Sequence, residues 1–181
     1  MAGNPANVKI WEDADVRILK PSAIASGETI QDLLPATITD PFDAEWLLVG
    51  LLDGSDGFGE SREWDESEHT AWGYGLIKVS SRNFKMTRTF TALEENEVTD
   101  FLYSPGDTAT VVKVAKPANV YLAFETTSDL AEKQRRITTM PSRVVAPESN
   151  RNEEDLASKE FTCNIFPNSA KELFYKQTSA A

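Results

Sequence analysis

The sequence predicts a mainly β protein: a two-sheet antiparallel β-sandwich with one flanking α-helix. Three observations carry this. Short β-prone runs recur along the chain, bounded by Pro, Gly, Asn and Ser, and about seven to nine of them can be delimited. Several alternate with the period of two that a half-buried strand requires, as Phe161, Cys163 and Ile165 do against Thr162 and Asn164. Only one stretch, residues 92–103, combines helical period with start and stop signals. Many strands and one helix favour packed sheets.

At 181 residues with 40% hydrophobic composition, the chain is expected to form one domain with a substantial core. No apolar run approaches the roughly 18 residues of a membrane helix. The start, Met1 to Pro5, is polar and predicts no secretory signal. Cys163 is the only cysteine, which excludes an intrachain disulfide and suits assembly in a reducing cytoplasm. A net charge of −11 disfavours gripping nucleic acid through its phosphates. His69 is the only histidine, which removes most zinc sites and histidine-based triads.

In chain order, residues 1–15 read as a polar arm and Val16 to Lys20 as a short strand ended by Pro21. Residues 22–40 read as loops. Trp46 to Leu52 is apolar on both faces; Gly50 and the Asp53–Gly54 turn favour a buried strand, although period alone also suits a helix. Residues 72–90 form strand-like segments with a turn or bulge at Ser80 to Asn83. Thr91 and Glu94 make a capping-box pattern for the helix, with Leu93, Val98, Phe101 and Leu102 on one face and Pro105–Gly106 as the stop. Residues 108–114 and 120–127 read as strands joined by a turn, residues 137–145 as a strand broken at Pro141, and residues 147–159 as a polar loop. Residues 169–176 suit either a capped helix or an edge strand.

Residues 53–70 read as a long acidic loop. Asp53, Asp56, Glu60, Glu63, Asp65, Glu66 and Glu68 against the single base Arg62 give it a net −6. A loop of this length in a domain is a functional or disordered segment. Asp53 to Gly57 does not fit an EF-hand, because Phe58 stands where the invariant glycine belongs. Glu66, Glu68 and His69 offer a carboxylate–imidazole pair only as a lesser possibility beside simple solvation. Cys163 reads as an inert core thiol. No catalytic, cofactor-binding or metal-binding residues are assigned.

Trp46 to Gly50, the acidic segment ending near Trp72–Gly73, Thr89 to Asn96 and Phe161 to Pro167 together resemble the major tail (tail tube) proteins of long-tailed bacteriophages, particularly those of actinobacterial hosts. The resemblance implies a non-enzymatic structural virion protein. Six copies would form a ring whose sheets join into an inner β-barrel, rings would stack into a tube, and the acidic loop with Asp53, Asp56, Glu60, Arg62, Glu63, Asp65, Glu66 and Glu68 would reach a neighbouring subunit or the next ring. Its partners would be further copies of itself and the tape-measure, tail-terminator and tail-tip proteins. Genomic DNA would pass through without specific binding, with no cofactor and no membrane involved. The chain would be assembled in the host cytoplasm and reside in the virion tail. The alternative is a monomeric β-sandwich that binds carbohydrate or a cell surface; a carboxylate hydrolase is a more distant one. Ring or tube formation separates the first from both others.

Overall fold

Strand period governs most of the chain. In the computed structural model, which describes residues 8–151, 153 and 156–179, the described residues hold ten strands and one α-helix. The strands are β1 (Trp11–Leu19), β2 (Leu47–Leu48), β3 (Gly59–Ala71), β4 (Gly75–Ala92), β5 (Ala118–Ser128), β6 (Lys133–Thr138), β7 (Ser142–Val145), β8 (Ser149–Asn150), β9 (Ser158–Ile165) and β10 (Phe174–Thr178). The helix α1 is Glu97–Tyr103. All the strand pairings are antiparallel.

β5 is the hub. It pairs with β1 on one side, Ile18 opposite Leu122, and with β6 and then β7 on the other. β6 and β7 act as one partner strand broken at Thr139 to Pro141, since proline cannot supply a ladder hydrogen bond. At the break the Thr138 hydroxyl accepts a hydrogen bond from the Leu122 amide at 2.9 Å, which keeps that buried donor satisfied. From here the sheet divides. β6 leads to the edge strand β10, while β7 leads through β9 and β4 to β3. The expected two layers are therefore two halves of one hydrogen-bonded, ten-stranded sheet.

The inner faces of the halves meet in an aromatic core. Phe90 of β4 stacks on Phe161 of β9 at 5.1 Å and meets Phe124 of β5 edge-on at 6.4 Å. Each such buried side chain stabilises the fold by about 2–3 kcal/mol. Leu102 of α1 closes one side of this core. A second cluster, built on Leu19, Trp46, Ala123 and Ile137, lies apart from it. Residues 21–46 cover that cluster with two short 3-10 turns and loops. Arg135 fastens these loops. It is buried, pairs with Glu125 at 2.6 Å, and donates to the carbonyls of Thr37, Ile38 and Asp40.

Several expectations change. β1 begins at Trp11, inside the expected arm. Between Trp46 and Leu52 only Leu47 and Leu48 form a strand, both exposed, whereas Trp46 and Val49 are buried. The expected cap is displaced. Thr91 belongs to β4, opposite Glu160, because the core claims this segment as strand through Phe90 and Ala92. Glu94 instead accepts from the Leu51 amide at 3.1 Å. The helix starts later, with Asn96 as cap: its side chain accepts from the amides of Val98 and Thr99, and the Thr99 hydroxyl accepts from the Asn96 amide. Residues 108–114 form no strand, residues 174–178 resolve as an edge strand, and the polar 147–159 segment contains the short β8 and the start of β9. The expected inert thiol holds: Cys163 is buried and desolvation pushes its pKa up.

Two stability predictions follow from this packing. Asn96→Ala removes a paired cap and is expected to cost about 1–2 kcal/mol in urea unfolding. Arg135→Met leaves Glu125 without its buried partner and strips three carbonyls of their donor; the expected cost is about 3–5 kcal/mol.

Candidate functional site

The segment expected to be a loop is mostly strand. Asp53 to Phe58 forms the turn, in which the Asp53 carboxylate accepts from the Ser55 hydroxyl and amide at 2.6 and 2.8 Å. Those two hydrogen bonds hold its pKa below the usual carboxylate value. Phe58 then anchors the chain, edge-on to Phe124 at 5.3 Å. From Gly59 the chain runs as β3, turns at Trp72 to Tyr74 and returns as β4. Gly73 has φ +80° and the Tyr74 amide donates to the Ala71 carbonyl, the geometry a type II turn requires of glycine at that position.

β4 pairs with β9 only over Met86–Ala92, and β3 pairs with nothing but β4. Residues 63–85 therefore form a two-stranded arm held only by itself. At about 3.3 Å per residue it extends on the order of 30 Å from the body. A two-stranded hairpin alone is marginal in water.

The register sorts its side chains onto two faces, because residues directly opposite share a face. Glu60 is opposite Arg88, Arg62 opposite Met86 and Glu68 opposite Val79. Met86 and Arg88 point to the core, so the same face continues outward through Trp64, Glu66, Glu68 and Thr70, with Phe84, Val79 and Leu76 beside them. Trp64 and Phe84 contact each other at 5.2 Å yet stay half exposed. The core face of the domain thus runs on, uncovered, along the arm. At the tip Trp72 is fully exposed and Tyr74 nearly so.

The opposite face carries the charges that pair across the strands. Glu63 is opposite Lys85, Asp65 opposite Arg82, and His69 opposite Lys78. Strict alternation would put Arg82 and Lys85 on different faces. A bulge prevents this: Trp64 faces both Asn83 and Phe84, with Asn83 at φ +53°. Asp65 accepts from the Asn83 amide group at 2.9 Å and lies 3.7 Å from Lys85, and both partners lower its pKa. Glu66 and Glu68 project from the face opposite His69, so the carboxylate–imidazole pair is not assembled. Among the described residues no metal-ligating cluster occurs.

At the base of the arm lies a cleft of about 830 Å³, bordered by β1, the turn 53–58 and the roots of β3 and β4. Its wall is strongly acidic, with Glu12, Asp13, Asp15, Asp53, Asp56 and Glu94. Asp15 has a raised pKa, chiefly from burial, in part from Asp13 and Glu125 nearby. Glu94 packs so tightly against Gly50 (φ +102°) that a Cβ there would sit 2.3 Å from its Oε2. On the floor, Glu60 is shared by Arg62 at 2.5 Å, Arg88 at 3.2 Å and Arg136 at 3.2 Å. Arg88 is only 9% exposed, and its guanidinium sits over Phe124 at 4.6 Å. Among the described residues its Nε and Nη1 have no aligned hydrogen-bond acceptor. Burial lowers its pKa, with Glu60 opposing.

The expected site residues therefore divide. Asp53, Asp56, Glu60, Arg62 and Glu94 surround the cleft. Glu63, Asp65, Glu66 and Glu68 lie on the arm, and Thr91 bonds Asp56 from β4. Sequence reasoning did not connect the acidic run to Lys78, Arg82, Lys85 and Arg88 as one paired hairpin, nor find Arg136.

No family model matches the chain, and no curated protein matches it. Among solved structures it is similar to a chain of an extracellular contractile injection system, the PVC sheath–tube complex in its extended state. That match has 10% identity and a TM-score of 0.41, covering 92% of this chain and 88% of the other.

Arg88 and Arg135 make a direct comparison. Both are buried, but only Arg135 is fully bonded. Arg88→Met leaves Glu60 with Arg62 and Arg136 and removes a poorly satisfied charge. The expected change in urea unfolding is within about 1 kcal/mol of wild type, or a gain in stability, against the large loss for Arg135→Met.

Proposed function

We propose that this chain is a structural subunit of a phage-type tail tube, which assembles with copies of itself into rings, six to a ring, that stack into a hollow conduit for genomic DNA. One observation carries this reading: the core face of β4 continues uncovered along an arm that a single copy cannot support. A neighbouring subunit supplies the missing surface. The open outer edge of β3 and the edge strand β10 supply places where sheets of adjacent copies join, which removes exposed edges. The net charge of −11 suits a wall past which duplex DNA slides, because it gives no counterion-release gain. Tape-measure, tail-terminator and tail-tip proteins would complete the assembly. A monomeric carbohydrate- or surface-binding module remains the second reading, and the bare Trp72 and Tyr74 at the tip favour it, since exposed aromatic rings suit stacking on sugars.

Removing residues 66–79 and closing the arm with a two-residue turn tests the proposal. The deleted part contributes nothing to the core, so a folded monomer is expected, with its unfolding midpoint close to wild type. Wild-type protein should form rings or tubes by electron microscopy, more readily as salt rises toward physiological strength, where charge repulsion reaches only about 8 Å. The shortened protein should not assemble. Wild-type chains that stay monomeric at every concentration and salt overturn the tube reading. A separate expectation concerns DNA: the free subunit should show no measurable duplex binding in low salt, where phosphate contacts are strongest. Tight, salt-sensitive binding would contradict passive sliding.

A further inference from the structure

Residues 108–116, Thr-Ala-Thr-Val-Val-Lys-Val-Ala-Lys, have strand composition without a strand. β-branched residues dominate, yet beyond an isolated bridge between Thr108 and Val111 the segment joins no ladder. Val112 is 82% and Val114 91% exposed. Among the described residues, the amides of Val112, Val114, Ala115 and Lys116 donate to no protein group. The Val111 amide donates to the Thr108 carbonyl and the Lys113 amide to the Asp107 carboxylate at 2.7 Å, but the amides of Val112, Val114 and Lys116 are left to pair with another sheet. The molecule presents one long edge of matching length: the outer edge of β3, whose amides and carbonyls face away from β4.

We infer that residues 111–116 of one copy add as a strand to the outer edge of β3 of a second copy. This deepens the tube reading and rests on it. The occupant is fixed by side-chain parity and charge. Val112, Val114 and Lys116 project to one face of the added strand; Val111, Lys113 and Ala115 project to the other. Added parallel to β3 with Val112 beside Trp64, the strand extends the uncovered apolar face through that pair, sets Val114 beside Glu66 and brings Lys116 beside Glu68 on the same face. Lys113 then lies on the opposite face, beside Glu63 and Asp65. Both lysines meet acids, and Val112 meets the apolar strip at Trp64. A register shifted by one residue would move Val112 from Trp64 to the face of Glu63 and Asp65. No acid lies in residues 108–116, so the segment is attracted along the whole of the acidic strand.

Charge reversal tests this in the full-length chain. Lys113→Glu with Lys116→Glu should raise the concentration needed for assembly by about tenfold or more, since like charges then face each other across the joint. Glu66→Lys with Glu68→Lys should do the same; these positions face Ser81 and Val79 within the hairpin, so its own pairing is kept. A chain carrying Lys116→Glu with Glu66→Lys and Glu68→Lys, which all lie on one face of the joint, should assemble as wild type does. In a second measurement, chains with Ser67→Cys are mixed with chains carrying Ala115→Cys under a mild oxidant. A disulfide-linked heterodimer is expected, and the buried Cys163 stays out of the reaction. Assembly that depends on the arm but ignores both charge reversals, with no heterodimer, overturns this inference and leaves the tube reading standing. A chain that neither assembles nor crosslinks overturns both.

Discussion

An 18-residue strand with one continuous inner face sets the terms for this molecule. β4 has to satisfy two environments with one alternation. Over Met86–Ala92 it is a core strand, flanked by β9 and packed through Phe90. Below Lys85 it has only β3 beside it, yet its pleat still delivers side chains to the same side. The sequence keeps apolar residues there, Phe84, Val79 and Leu76, where a strand meant for solvent would carry polar ones. An isolated domain gains nothing from this. The pattern makes sense when the core of the assembled state is larger than the core of one copy.

Within one copy the two strands of the arm are laced by opposed charge and not by packing. Acids in β3 oppose bases in β4, and the bulge at Asn83 keeps Arg82 and Lys85 on one face where Glu63 and Asp65 can meet them. Among the described residues of the arm one of these oppositions closes as an ion pair, Lys85 with Asp65 at 3.7 Å; exposed, it is worth only a few tenths of a kcal/mol, and the opposition of signs disfavours slipped registers. The same lacing leaves Glu66 and Glu68 with neutral partners, Ser81 and Val79, so the arm has acid to spare on its apolar side. At its root the surplus reverses: three guanidinium groups converge on Glu60.

The β-rich class, the hub strand β5, the break at Pro141, the strand β9 and the inert Cys163 were legible because alternation and proline chemistry are local. Three features were not. The acidic stretch looked like a loop because both faces of β3 are solvated, which removes the apolar alternation by which strands are recognised. A signal was present nonetheless: acids at 60, 63 and 65 mirror bases at 88, 85 and 82 about Tyr74, beside the turn glycine Gly73. The Thr91–Glu94 box met a competing demand, since Phe90 and Ala92 are drawn into the core as strand and the helix has to wait for Asn96. The start of the helix was thus set by tertiary packing and not by the stronger-looking local motif. Finally, residues 108–114 have strand character with no edge in their own chain to join.

For a conduit, the parity of the hairpin bases has a physical consequence. Phosphate is attracted by unpaired bases, and Lys78, Arg82, Lys85 and Arg88 are all in β4. Arg88 is withdrawn into the core, held by Glu60 and covered by aromatic rings. Arg82 and Lys85 share their face with Asp65 and Glu63, which leaves Lys78, opposite His69, as the base least offset within the arm. The face that bears Glu66 and Glu68 has no such base. A wall that shows DNA the acid-rich side repels it outright, whereas one that shows the laced side is close to neutral but holds one lysine per subunit near the tip. In such a conduit the two faces differ in what salt would weaken, repulsion on the acid-rich side and the lysine's attraction for phosphate on the laced side, since both are screened as ionic strength rises.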